Sequence, residues 1–440
     1  MFTDEPFVPA TVETEKPASQ RTAELDFGAA GHLYATHPLH AFAARCPPPL
    51  VDWAISRYSA PGEVVLDPMV GSGTTLVEAA LLGRRAWGAD IDPLSRLIAK
   101  AKATPVPVAA WDTATAQAKR LLSGTPDDGW RPDLPRLDRW FLPAAAADLA
   151  RVRSVIQRVD CDQDVRDLLW VAFSALIVAR TSVANVRDLV HSRHHYRPWD
   201  RDPGVPSRFL QQLRRFRRLL ADYRGRLEAA GNVTPDVRIV AQDARQLPLP
   251  DGCADLVFTS PPYCSALDYT RAHMFAVAWM PKVLGLSAAE YRDLGRRYVG
   301  TDRAPLGEAA TRLTRPPALD LPAIDSVVES LAEQDLRPAW IVHRYFREMA
   351  KVLEECARVV RPGGHTVLVI CPSNIRKLAV PTPRLLAHLA NSVAGLKVEH
   401  VLERTLHERR RVMPYLEAAF GPRMRQEYVV VLRRPDRPRR

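Results

Sequence analysis

The sequence predicts an α/β protein with a doubly wound, mainly parallel sheet, interrupted by a largely helical insertion. Three observations carry this. A buried strand, a glycine-bearing loop, a helical run and a second strand follow one another between 64 and 92. Strand-like apolar runs resume at 237–241, 255–259 and 365–370. Between them, from 105 to 232, helical periodicity and proline-rich joins replace strands. With 440 residues, 47% of them hydrophobic, the chain can bury one large core and carry a substantial insertion as well.

Residues 1–33 form a flexible lead-in, of mixed charge and little periodicity. The first half of the core is assigned to 34–104. Here Pro47, Pro48 and Pro49 predict a rigid turn, and Leu50, Trp53, Ala54 and Ile55 have the spacing of a short amphipathic helix that ends at Pro61-Gly62. The strand 64–66 leads into Asp67-Pro68-Met69-Val70-Gly71-Ser72-Gly73-Thr74-Thr75, a helix over 76–82, a strand over 85–88 and the acids of Asp90-Ile91-Asp92-Pro93. This is the first mononucleotide-binding half of a doubly wound sheet. A helix over 94–103 follows.

The insertion spans 105–232. Its most apolar stretch, near 170–179, is too short to cross a bilayer and is read as a core helix. Further on, Phe209, Leu213, Phe216, Leu220, Tyr223 and Leu227 recur every three or four residues, with Arg208, Arg214, Arg215, Arg217 and Arg218 on much of the remaining surface. Such a face suits either plain solvation or a phosphate backbone. The core resumes over 233–280 with two strands, Asp243, Ser260-Pro261-Pro262-Tyr263 and a helix over 268–280. A variable segment with a proline-rich loop near Pro316, Pro317 and Pro322 occupies 281–340. The closing half, 341–432, holds a helix over 341–359, a turn at Arg361-Pro362-Gly363-Gly364, a strand over 365–370 and two final strands over 397–406 and 426–432. A basic tail, 433–440, is read as solvated.

Sixty-one Lys and Arg against 50 Asp and Glu give a formal charge of +11, which attracts a polyanion without identifying it. Six cysteines without paired CxxC spacing argue against a disulfide framework and a structural zinc site, and fit a reducing compartment. The acidic start, with Asp4, Glu5, Glu13 and Glu15, lacks a signal-peptide pattern, so a cytoplasmic protein is expected.

The chemistry gathers at strand ends. Gly71 and Gly73 bring backbone close to a ligand at a helix start, yet the loop lacks the lysine of ATP-binding loops; Asp67 suits a cationic group such as the amine of a methionine moiety. Asp90 is placed to accept ribose hydroxyls, whereas Asp92 before Pro93 is read as a helix cap. Asp243 fits either an acceptor for an adenine amino group or a turn former. At Ser260-Pro261-Pro262-Tyr263 the two prolines remove backbone donors and leave a rigid rim of acceptors. That rim suits an exocyclic amine, whose hydrogens bond the Ser260 oxygen and the Pro261 carbonyl while Tyr263 stacks on the ring. The run 188–195, with His191, Arg193, His194 and His195, lacks the ligands to complete a metal site and suits a polar loop or contacts to base and phosphate.

Together the loop at 67–75 and the tetrapeptide at 260–263 resemble the S-adenosylmethionine-dependent DNA amino-methyltransferases of bacteria, a Rossmann-like methyltransferase fold. The resemblance takes in roughly 34–104 and 237–432. It implies S-adenosylmethionine as cofactor, held by Asp67, Pro68, Gly71, Gly73, Thr74, Asp90 and Asp243, with Ser260, Pro261, Pro262 and Tyr263 catalytic. The stretch from His37-Pro38 through Pro47-Pro48-Pro49 is similar to the segment beside the cofactor's methionine end, which adds His37 to the cofactor set. Double-stranded DNA is the implied partner, with His191, Arg193, His194, Arg214, Arg218 and Arg271 as candidate contacts; no metal is expected, and a cognate restriction endonuclease would act separately.

A serine heading the tetrapeptide resembles the cytosine-N4 enzymes, whereas adenine-N6 enzymes more often have aspartate or asparagine there. Methylation at cytosine C5 needs a thiolate beside the proline pair, and Cys264 lies beyond Tyr263. The rival readings are an adenine-N6 enzyme, an RNA amino-methyltransferase, a non-catalytic nucleic-acid-binding module and a dehydrogenase. An RNA enzyme should bring an RNA-binding module, intact motif residues oppose a non-catalytic module, and a dehydrogenase has a different glycine spacing.

Overall fold

The computed structural model describes residues 20–21, 25, 27, 33–42, 45–178, 204–264, 269–301, 314–405 and 426–436. Ten strands are described: β1 (Gln20–Arg21), β2 (Val64–Asp67), β3 (Arg85–Ala89), β4 (Val237–Ala241), β5 (Ala254–Thr259), β6 (Val360–Ile370), β7 (Ser373–Ile375), β8 (Leu378–Val380), β9 (Lys397–Thr405) and β10 (Gln426–Arg433). Eight form one sheet in the order β1-β9-β10-β6-β5-β2-β3-β4, and β7 and β8 make a separate hairpin. The run β6-β5-β2-β3-β4 is parallel throughout, and β10 lies antiparallel to both β6 and β9. From β2 the chain winds outward through β3 and β4, then returns to β5 on the other side of β2 and continues to β6. The strand order therefore reverses between β2 and β5, where a doubly wound sheet opens a crevice at its carboxyl edge.

Every residue of β2 is buried, as expected for a parallel strand covered on both faces. One face is packed by α1 (Pro48–Tyr58) and α2 (Thr74–Leu81), through Leu50, Ala54, Ile55, Leu76 and Val77. Pro48 and Pro49 are not a turn before α1 but its first turn, where their missing N–H groups cost nothing. After α3 (Pro93–Ala103), the insertion contributes α4 (Val108–Gly124), α5 (Leu137–Trp140), α6 (Pro143–Arg158), α7 (Gln163–Val178) and α8 (Val205–Ala229), with no strand among its described residues. These helices share one apolar core with α9 (Tyr269–Trp279), which follows the Ser260–Tyr263 tetrapeptide: Trp111, Leu149, Phe173, Phe216, Phe275 and Trp279 all belong to it.

The segment 281–340 is more ordered than its prolines suggest. It holds α10 (Pro281–Leu284), α11 (Ala288–Leu294), whose Ser287 and Glu290 complete a reciprocal cap, and α12 (Pro322–Gln334). The other sheet face is covered by α12, α13 (Leu336–Val359) and α14 (Thr382–Ala394). The helix expected from 341 begins at Leu336 because the Asp335 side chain accepts from Arg337 N. Arg361 to Gly364 is a bulge inside β6 rather than a turn before it, and Gly363 supplies φ +76° there. The lead-in is also partly docked: β1 pairs with β9, and buried Leu25 accepts a hydrogen bond from Arg404 Nη1 at 3.2 Å. Among the described residues no helix is long and apolar enough to cross a membrane.

Candidate active site

Three acids stand at or just beyond the carboxyl ends of parallel strands: Asp67 ends β2, Asp90 follows β3 and Asp243 lies beyond β4. Ser260 follows β5, on the other side of the switch point. All four line one cleft of about 910 Å³, counting space continuous with solvent. Its lining mixes apolar side chains such as Phe42, Met69 and Val70 with a few placed polar groups, the composition of a small-molecule site.

Chain geometry builds the cleft's floor. Gly71 and Gly73 take φ +48° and +79°, and a Cβ on Gly73 would come within 2.6 Å of Ala99 Cα. Only glycine there lets the start of α2 pack on α3. Gly73 thus shapes the loop from behind, while Pro68, Gly71, Ser72 and Thr74 face the cleft.

Asp67 is 4% exposed; its Oδ1 accepts from Met69 N at 3.1 Å and its Oδ2 from Thr75 Oγ1 at 2.6 Å. Burial pushes its acid up to about 6. Asp90 Oδ2 accepts from Gly71 N and Oδ1 from Asp92 N, both at 2.8 Å, which clamps the glycine loop to the end of β3. Burial and the neighbouring charge of Asp92 push Asp90 up to about 7. Both acids therefore keep their protons to a higher pH than an exposed carboxyl would. Asp243 differs: against its burial, Arg245 holds it below the usual range, with Nε at 2.9 Å and Nη2 at 2.7 Å. Arg245 in turn reaches Glu348 at 3.2 Å.

The tetrapeptide is fixed from beneath. Ser260 Oγ donates to the Val369 carbonyl at 3.1 Å, so its single proton is committed and its lone pairs can only accept. Tyr345, fully buried, donates to the Pro262 carbonyl at 3.0 Å, and Cys371 Sγ donates to Tyr263 Oη at 3.5 Å. Ser260 and Pro262 line the cleft, whereas Pro261 and Tyr263 are not among its lining residues. Cys264 is fully buried, and burial pushes its thiol up, away from the thiolate a nucleophile needs.

His37 lies elsewhere. It is buried with Nε2 2.6 Å from Glu78 Oε1, which also accepts from Tyr34 Oη at 2.6 Å, and it does not line the cleft. Its neighbours Phe42 and Arg45 do, as do Arg245, Arg297 and Tyr298. Arg245 is two residues from Asp243, a spacing that offered a signal; Arg297 and Tyr298 sit in the segment read only as variable. Of the candidate DNA contacts, Arg214 and Arg218 are exposed on α8 and Arg271 is half-buried on α9, while His191, Arg193 and His194 lie outside the described residues.

A crevice at the switch point of a parallel sheet, with acids at three strand ends and a donor-poor rim on a fourth, is the place where doubly wound sheets take a ligand. The family model described as DNA methylase (N6_N4_Mtase) matches residues 13–100. The type II methyltransferase M.MvaI of Kocuria varians is 24% identical over 377 residues, covering 80% of each chain. M.MjaII of Methanocaldococcus jannaschii is 38% identical over 66 residues, covering 15% of this chain and 12% of that protein. Among solved structures, TrmN from Thermus thermophilus matches 88% of this chain and 49% of its own at 13% identity and a TM-score of 0.30. A DNA modification methylase of Thermus thermophilus, TTHA0409, complexed with S-adenosyl-L-methionine, matches 28% of this chain and 45% of its own at 18% identity and a TM-score of 0.19. The chain thus spans less than half the length of either. The family model is described as a DNA methylase and both relatives as type II methyltransferases, and the model's match takes in the glycine loop at 67–75.

Proposed function

We propose that this chain is a site-specific DNA amino-methyltransferase that uses S-adenosylmethionine to methylate the exocyclic N4 of a cytosine turned out of the duplex. The observation that carries the reading is the Ser260 rim at the end of β5, sharing one cleft with Asp67 and Asp90. The donor set fits the cofactor: Asp67 suits its ammonium, Asp90 the ribose hydroxyls and Asp243 an adenine amino group. When bound, the cofactor supplies an activated methyl group with a thioether as leaving group.

The chain's own residues align the amine. With its proton held by Val369, Ser260 accepts one amine hydrogen. The Pro261 carbonyl accepts a hydrogen bond from the other amine N–H, which turns the nitrogen lone pair out of ring conjugation and towards the methyl, and the methylated nitrogen then releases one proton to solvent. Tyr263 contributes a ring face for the extruded base. No residue forms a covalent bond to the base, in keeping with the buried Cys264. Serine at the head of the tetrapeptide favours cytosine; an adenine-N6 reaction would use the same residues in the same roles.

Incubation with methyl-labelled cofactor and double-stranded DNA, followed by digestion to nucleosides, should give N4-methylcytosine. Label in N6-methyladenine would overturn the base and keep the mechanism. A trapped Cys264 adduct with 5-methylcytosine as product would overturn both.

A further inference from the structure

Asp92 does more than cap α3. Its Oδ1 accepts from Leu94 N at 2.8 Å, which completes the cap. Its Oδ2 is taken by two side chains far along the sequence, His273 Nδ1 and Tyr291 Oη, each at 2.8 Å. All three residues are at most 1% exposed. Burying a carboxylate is costly unless every oxygen is satisfied, so this convergence fixes the partners' geometry as tightly as it fixes Asp92.

The partners lie on elements that reach both halves of the site. His273 is on α9, the helix that follows the catalytic tetrapeptide, and its ring packs 5.2 Å from Phe42, which lines the cleft. Tyr291 is on α11, and the chain beyond it returns to the cleft as Arg297, Tyr298 and Val299. Gly295 sits so close to α9 that a Cβ there would be 2.6 Å from Thr270 Cγ2, so α9 and the end of α11 are packed as one body. In the other direction Asp92 N donates to Asp90, which accepts from Gly71 N. One unbroken set of hydrogen bonds therefore runs from the glycine loop to the helix behind the tetrapeptide.

We propose that Asp92, His273 and Tyr291 are positioning residues that set the register between the cofactor end and the target end of the cleft. The inference rests on the methyl-transfer reading of that cleft. It divides the labour: the Tyr291 arm governs the wall that closes on the cofactor, and the His273 arm governs the helix that carries the catalytic loop.

The test uses the full chain with variants Tyr291→Phe, His273→Leu and His273→Asn, measuring S-adenosylmethionine affinity by calorimetry, kcat on DNA, and thermal unfolding. Losing a hydrogen bond to a buried charge is expected to weaken cofactor binding about 10-fold in Tyr291→Phe. In His273→Leu it should lower kcat about 10-fold or more with cofactor affinity nearly unchanged, and Asn, which restores a donor near the Nδ1 position, should recover most of the rate. Variants that melt earlier but keep wild-type affinity and kcat well below their melting temperatures would show Asp92 to be a packing hub alone and overturn the proposal. Tyr291→Phe keeps the ring and its packing, so the cofactor arm stays measurable even where His273→Leu fails to fold. If the wild-type chain neither binds the cofactor nor methylates DNA, the reading of the cleft falls and the proposal with it; a methylating wild type with unaffected variants overturns only the coupling.

Discussion

Burial and charge oppose each other at Asp67 and Asp90, and the outcome should be visible in pH dependence. Burial raises both acids, to about 6 and about 7, above their ordinary value of 3.8. Between those limits the native state holds protons that the unfolded chain releases, so this contribution to stability falls as pH rises through the window. Ligand binding runs the other way. A cationic amine near Asp67 and ribose hydroxyls at Asp90 both favour the carboxylate, so cofactor affinity should strengthen from about pH 5.5 to pH 8, with proton release near pH 6. Around Asp90 the other charged neighbour with a direct contact is Arg96, whose Nη1 donates to the Asp90 carbonyl at 2.6 Å and stays charged throughout. Calorimetric titrations in two buffers of different ionisation enthalpy would measure this, and a flat affinity profile would remove both acids from the ligand set. These acids were legible in the sequence because a strand-end acid next to a glycine loop is a local pattern. Arg297 and Tyr298 were not, since both reach the cleft through tertiary packing from a segment with no local signature, whereas Arg245 stands two residues from Asp243 and its spacing alone offered a signal. His37 entered through the resemblance of its segment to the one beside the cofactor's methionine end, yet Glu78, far along the chain on α2, claims its ring.

At the level of elements, α8 shows how one helix can serve two surroundings. Phe209, Leu213, Phe216, Leu220, Tyr223 and Leu227 are all buried, as their spacing predicts. The arginines between them have separate fates that no periodicity could distinguish. Arg215 donates to the Pro38 carbonyl and so holds the segment above the cleft, and Arg217 pairs with Asp112 at 2.7 Å. Arg214 and Arg218 remain exposed. If this face follows a DNA backbone, replacing both with glutamine should weaken binding and flatten the slope of log K against log salt by about 2, roughly 0.9 for each phosphate no longer neutralised. An anisotropy titration giving the wild-type slope would reduce the face to solvated surface. Helices and strands with strong local periods were legible in this way, from β2 through α3 and again in the insertion. The hairpin β7–β8 escaped the sequence reading because three-residue strands have too little period to read.

On the scale of the whole molecule, the pairing of β10 between β6 and β9 joins residues whose contact no local pattern announces. Arg404 on β9 and Glu427 on β10 are register partners, 2.7 Å apart, with side chains 4% and 9% exposed. Arg404 also donates to the Leu25 carbonyl, which holds the lead-in at the sheet edge, and Glu427 Oε1 lies 3.9 Å from Cys371 Sγ, the thiol that meets Tyr263. The pair thus joins Leu25 in the lead-in, the last strand and the Ser260–Tyr263 segment. A buried pair gains little over apolar residues of the same volume, because desolvation offsets the attraction, but breaking one leaves a stranded charge. Arg404→Met should therefore destabilise the fold by about 3–5 kcal/mol in urea unfolding, and the double variant Arg404→Met with Glu427→Leu should regain most of that loss. If the double variant is as unstable as the single one, the pair's value lies in the geometry it imposes on Leu25 and Cys371 rather than in the charge it neutralises. In that case, on the role proposed for Tyr263, kcat should fall in the double variant even under conditions where it is fully folded.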